Sequence, residues 1–103
     1  MNGLCKVVRR GEVYECHFTL TERGTLEIDT IGFESWVFNI HTVPRSRWQV
    51  VTLEEGGGMI IEIPFRNDLI AMFFEEIYQA MLFLERVNSI LILSHRYNIH
   101  RRE

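Results

Sequence analysis

Apolar and polar side chains alternate through the first two-thirds of the chain, and a helical rhythm takes over afterwards. Residues 4–9, 12–21, 25–31, 35–43, 47–53 and 59–65 each follow a period of two, as strands with one buried face do. The breaks between them carry Gly or Pro: Arg10-Gly11, Arg23-Gly24, Gly32, Pro44 and Gly56-Gly57-Gly58. Connections this short favour antiparallel neighbours, because a parallel crossover needs a dozen or more residues. The simplest arrangement is an up-and-down meander in which successive strands pair in order.

Register follows from matching apolar positions. A turn centred on Arg10-Gly11 sets Cys5 opposite Cys16 and Val7 opposite Tyr14. A three-residue loop at Glu22-Arg23-Gly24 sets Phe18 opposite Ile28 and Leu20 opposite Leu26. A two-residue loop there would set Leu20 against Glu27, so the longer loop is preferred. Cys16, Phe18 and Leu20 then face inward, while Glu15, His17 and Thr19 face outward. Trp36, Phe38 and Ile40, then Met59, Ile61, Ile63 and Phe65, extend the inner face. A twisted sheet with one apolar face must be covered by another layer.

The cover is predicted to be a helix over residues 67–96, capped by Asn67 or Asp68. Ile70, Phe73, Phe74, Ile77, Met81 and Leu84 fall on one stripe that can close the sheet. Met72, Leu82, Phe83 and Ile90 fall off it, among Glu75, Glu76, Gln79, Glu85 and Arg86. Such a helix would be about 45 Å long, against roughly 20–30 Å for a strand of six to nine residues. Surplus apolar surface on an overhanging helix implies a partner, most simply a second copy of the chain. Met72, Leu82, Phe83 and Ile90 are therefore the candidate partner or dimer interface. Residues 89–94 also read as a short strand following a helix that ends near Asn88; helix is the preferred reading. The fold class is α+β: an antiparallel sheet or partly open barrel of six to seven strands, closed by one long C-terminal helix. Residues 1–103 form a single domain, with its strands over residues 4–65.

Composition narrows the function classes. A chain of 103 residues holds one domain, and 47% hydrophobic residues suffice for a core. No apolar run reaches the ~20 residues of a transmembrane helix. Met1-Asn2-Gly3-Leu4 shows no signal-peptide pattern, so a cytoplasmic setting is expected. A net charge of −3 argues against nucleic acid as a partner. His17, His41, His95 and His100 and the two cysteines lack metal-ligand spacing, so no metal or cofactor is expected. Cys5 and Cys16 read as cross-strand neighbours, as two buried thiols or as a disulfide; free thiols suit a reducing compartment. No nucleophile elbow or phosphate loop is present, and Glu27 and Asp29 share a solvated face. The reading is therefore of a protein that is not an enzyme.

The basic residues are ten arginines and one lysine, Lys6. Arg offers a planar donor fork that suits carboxylates and phosphates. In a simple meander, Arg23, Arg45, Arg47 and Arg66 share one end with the helix N-terminus, a ring for an acidic or phosphorylated partner. Arg9 and Arg10, with Glu34, Glu54 and Glu55, take the other end. His95, Arg96, His100, Arg101 and Arg102 form a basic C-terminal cluster that offsets the helix dipole.

Residues 16–26, Cys-His-Phe-Thr-Leu-Thr-Glu-Arg-Gly-Thr-Leu, resemble the second hairpin of the pleckstrin-homology and phosphotyrosine-binding superfold. Phe65-Arg66-Asn67-Asp68 is similar to that fold's last passage from strand to helix. The resemblance implies a binding module of signalling, trafficking or cytoskeletal assembly, with peptides or phosphoinositides as ligands. Lys6, Arg9 and Arg10 match the family's first-strand basic positions and give an alternative lipid site. Glu12-Val13-Tyr14-Glu15 then supplies no basic residues where lipid-binding members carry them. The helix also has Phe73 and Phe74 in place of the family's Trp. Protein binding thus outranks lipid binding. The leading expectation is a non-catalytic PH-like interaction module that binds a protein partner or self-associates through its helix. The alternatives are a reader of anionic lipid and a small free-standing inhibitor or accessory subunit.

Overall fold

The computed structural model describes residues 1–32 and 34–101, with side chains described as far as residue 93. Seven strands are present: β1 (Asn2–Arg9), β2 (Glu12–Leu20), β3 (Thr25–Thr30), β4 (Ser35–Asn39), β5 (Gln49–Thr52), β6 (Met59–Phe65) and β7 (Asp68–Phe74). One helix, α1, follows over Ile77–Arg101. All strand pairs are antiparallel, in the order β4-β3-β2-β1-β7-β6-β5. The architecture is α+β, a half-barrel closed by a single C-terminal helix.

The first half of the sheet carries the register that the apolar pattern dictates. Cys5 lies opposite Cys16 and Val7 opposite Tyr14. Phe18 lies opposite Ile28 and Leu20 opposite Leu26. At the first turn Arg10 and Gly11 both take left-handed φ values, 52° and 79°, matching a two-residue turn to the twist of its strands. Gly24 is required by both conformation and space. Its φ is 91°, and a Cβ would lie 2.8 Å from the His41 ring.

The second half corrects the predicted meander. Residues 40–48 do not extend β4 to a hairpin. They fold into two 3-10 turns, Ile40–Thr42 and Arg45–Arg47, and carry the chain to the opposite edge of the sheet. Asn39 starts the crossing: its side-chain oxygen accepts the His41 amide at 2.9 Å, and the Thr42 hydroxyl donates to its carbonyl at 2.6 Å. The sheet then closes through β1 and β7, with Lys6 opposite Phe73 and Val8 opposite Ala71.

Residues 68–74 are therefore a strand, and the helix begins ten residues later than its predicted start at 67. β7 lies between β1 and β6, so both of its edges are hydrogen-bonded. Ile70, Met72 and Phe74 point into the barrel, and Ala71 on the other face is also buried. The other outward positions are apolar too, with Leu69 42% exposed and Phe73 half-buried, so residues 69–74 form a continuous apolar run with no helix or strand period to read. Asn67 and Asp68 suit a turn as well as a cap. Here Phe65 pairs with Asp68 across Arg66-Asn67, with Arg66 at φ 58°. From Ile77 the helix is continuous through residues 89–97, as preferred.

One core joins the sheet and the helix. Phe83 of α1 packs edge-on against Phe18 of β2, with centroids 5.3 Å apart, and at 5.7 Å against Phe74 of β7. Phe18 and Phe74 also meet edge-on at 5.8 Å. Edge-to-face pairs of this kind add about 0.5–1.5 kcal/mol each beyond the area they bury. Ala80, Val87 and Ile90 continue the same helix face into the core.

Candidate interaction surfaces

Strand direction decides where charge gathers. The β2–β3 turn, the β5–β6 loop and the β7–α1 junction share one end of the sheet. The β1–β2, β3–β4 and β6–β7 turns share the other. The first end carries Glu22, Arg23, Glu54, Glu55, Glu75 and Glu76 and is acidic. Arg9, Arg10 and Arg66 stand at the second end, and Arg45 and Arg47 lead into β5 from that side.

The predicted ring of Arg23, Arg45, Arg47 and Arg66 beside the helix N-terminus is thus not assembled. Inserting β7 reverses the chain once more. That places Arg66 at the opposite end of the sheet from Arg23, seven strand residues away from the start of α1. Three of the arginines on this side lie on aromatic rings. Arg9 stacks over Trp36 at 5.3 Å, Arg45 over Trp48 at 5.5 Å and Arg66 over Phe65 at 5.1 Å. Phe38 of β4 meets Phe65 of β6 at 5.4 Å across the opening of the half-barrel. Planar, weakly hydrated guanidinium groups suit this position, where they close the rim of an aromatic core and keep contact with water. The Nε of Arg45 and the Nε1 of Trp48 are buried there without a hydrogen-bond partner.

The alternative lipid set of Lys6, Arg9 and Arg10 is divided in the same way. Lys6 and Arg9 are three residues apart on a strand and so project from opposite faces. Lys6 pairs with Glu75 at 2.7 Å, which raises the lysine pKa and lowers that of Glu75 through the hydrogen bond and the charge. Arg9 lies 3.9 Å from Asp68, with its side chain only 18% exposed. A cavity of about 320 Å³ opens beside Arg9 and Arg10, but Glu12 and Glu34 line it too, so its charges offset one another. A larger cavity, about 420 Å³, lies on the outer sheet face between Phe73, Ile31 and the residues that lead into α1.

Three of the four residues predicted to form a partner interface belong to the core. Met72 and Phe83 are fully buried and Ile90 is 4% exposed. Met72 sits in β7 with its side chain inside the barrel, and Phe83 and Ile90 lie on the face of α1 that covers it. Leu82 alone is on the surface. Met81, assigned to the covering stripe, is exposed as well. The outward face of α1 is Tyr78, Met81, Leu82, Glu85, Ser89, Ile92 and Leu93, half a turn from Ala80, Phe83, Val87 and Ile90. Its apolar members are 42–65% exposed. Tyr78, Ile92 and Leu93 were absent from the sequence-based set because phasing the helix from residue 67 ran the stripe through a strand. Phasing from Ile77 recovers both faces.

Cys5 and Cys16 are buried, free and directly opposite each other. Burial pushes the Cys5 thiol up to about 12, with the neighbouring Cys16 adding to it. Burial likewise pushes Cys16 up to about 11. Both are therefore poor nucleophiles. Among the described residues no three His, Cys, Asp or Glu side chains gather as a metal site, and no helix is long and apolar enough to cross a membrane. The basic C-terminal cluster of residues 95–102 lies outside the described side chains. Compared with known proteins, no family model, curated protein or solved structure matches the chain.

Proposed function

We propose that the chain is a non-catalytic interaction module of PH-like architecture that self-associates through the outward face of its C-terminal helix. The observation that carries this reading is the second apolar face of α1. Tyr78, Met81, Leu82, Ile92 and Leu93 are exposed at helical spacing, while the opposite face already satisfies the core. A helix needs one apolar stripe to cover a sheet, and a second has no role in the monomer's core. The strand order, with β1 joined to β7 and one helix closing the half-barrel, fits the PH-like resemblance of residues 16–26. The anionic-lipid reading receives less support, because Lys6, Arg9 and Arg66 are engaged with Glu75, Trp36 and Phe65 and do not converge.

The test is solution mass by light scattering over a concentration series, for the wild type and for Leu82→Glu. A dimer that Leu82→Glu converts to a folded monomer supports the reading. A wild type that stays monomeric across the series overturns it.

A further inference from the structure

The outward face of α1 has an internal order that favours one way of pairing. At 3.6 residues per turn, Tyr78, Leu82, Glu85, Ser89 and Leu93 lie along one line of the helix, with Met81 and Ile92 flanking it. The line is apolar at both ends and polar in the middle, and its midpoint falls between Glu85 and Arg86. The stretch is about 24 Å long at 1.5 Å per residue.

Two orientations can be compared. In a parallel pair each position meets itself, so Glu85 faces Glu85 and Arg86 faces Arg86, and both contacts repel. In an antiparallel pair with a two-fold axis between residues 85 and 86, Tyr78 meets Leu93 of the second copy. Leu82 then meets the small Ser89, and Glu85 meets Arg86. At each end one apolar Tyr78–Leu93 contact and one Leu82–Ser89 contact enclose two opposite-charge contacts at the centre. Charge at helix seams sets orientation more than it sets strength. Both central side chains are available. Glu85 is exposed with no ion pair among the described residues, and Arg86 is held only at 3.9 Å by Glu22, whose side chain is 91% exposed. Each half-barrel covers the far side of its own helix, which leaves this line on the outward side.

Resting on the self-association reading above, we infer that α1 pairs with the α1 of a second copy in antiparallel, two-fold fashion, with Glu85–Arg86 contacts at the centre. The two half-barrels lie on the outer sides of the helix pair. A patch one helix wide and this long is at the small end of specific interfaces. The pairing is therefore reversible and depends on concentration.

Cysteine cross-linking tests the orientation on the full chain. Tyr78→Cys and Leu93→Cys change exposed residues, and native Cys5 and Cys16 are buried and do not compete. With a short bis-maleimide, the antiparallel pair predicts cross-linked dimer only when the two variants are mixed. Cross-linking of each variant with itself, and no product in the mixture that joins Tyr78→Cys to Leu93→Cys, would overturn the antiparallel arrangement while leaving self-association intact. A wild type that is monomeric by light scattering would instead overturn the self-association reading and this inference with it. A charge swap gives an independent readout: Glu85→Arg should weaken dimerisation roughly tenfold, and adding Arg86→Glu should restore it. Failure of the second change to restore dimerisation counts against the central contact.

Discussion

Leu82 and Phe83 are adjacent, large and apolar, yet they lie on different sides of the molecule. Phe83 is fully buried against Phe18 and Phe74, while Leu82 is 42% exposed on the outward face. The helix as a whole repeats this contrast. Ala80, Val87 and Ile90 seal the half-barrel, and Tyr78, Met81, Ile92 and Leu93 face away from it. Hydrophobicity alone therefore does not say which residues hold the fold and which are free for a partner. The sheet decides, by fixing where the helix begins and hence which stripe it covers.

The largest expected effect breaks the comparison from the inside. Phe83→Glu would bury an unpaired carboxylate and abolish folding. Phe83→Ala should destabilise by about 3–5 kcal/mol, read as a lowered denaturant midpoint. Next comes the alkaline behaviour of the inner sheet face. Between pH 9 and about 11 the unfolded chain releases thiol protons that buried Cys5 and Cys16 retain. Unfolding is then favoured as pH rises, so the midpoint should fall through this window. Cys16→Ala should make that fall shallower. Below pH 9 the two proteins should show the same pH dependence.

The smallest effect on stability is expected outside. At protein concentrations where the wild type is itself monomeric, Leu82→Glu should change unfolding by no more than about 0.5 kcal/mol, as surface substitutions usually do. A loss like that of Phe83→Ala would place Leu82 in the core. Lys6→Ala should leave thermal unfolding unchanged, because its pair with Glu75 is solvent-exposed and such pairs contribute little.

The parts of the fold legible in the sequence were those where a period survives. β1 to β4 are half-buried, so alternation marks their faces and Arg10-Gly11 and Gly24 mark their turns. That was enough to set Cys5 against Cys16 and Phe18 against Ile28. β7 was not legible, because its outward residues Leu69, Ala71 and Phe73 are as apolar as its inward ones and leave no alternation, and Asn67-Asp68 suits a turn and a cap equally. That single misreading propagated. It moved Met72 from strand to helix, shifted the phase that assigned Phe83 and Ile90, and put Arg66 at the wrong end of the sheet. The excess of arginine was visible, but its stacking on Trp36, Trp48 and Phe65 depends on contacts between residues 3 to 27 positions apart or adjacent in sequence, which spacing alone does not reveal.

The most direct measurement is light scattering of the wild type and Leu82→Glu side by side, with circular dichroism on the same samples. The account predicts a wild-type dimer that dissociates on dilution, and a Leu82→Glu monomer with an unchanged spectrum. A wild type that is monomeric at every concentration, or a Leu82→Glu variant that is as dimeric as the wild type, would contradict it.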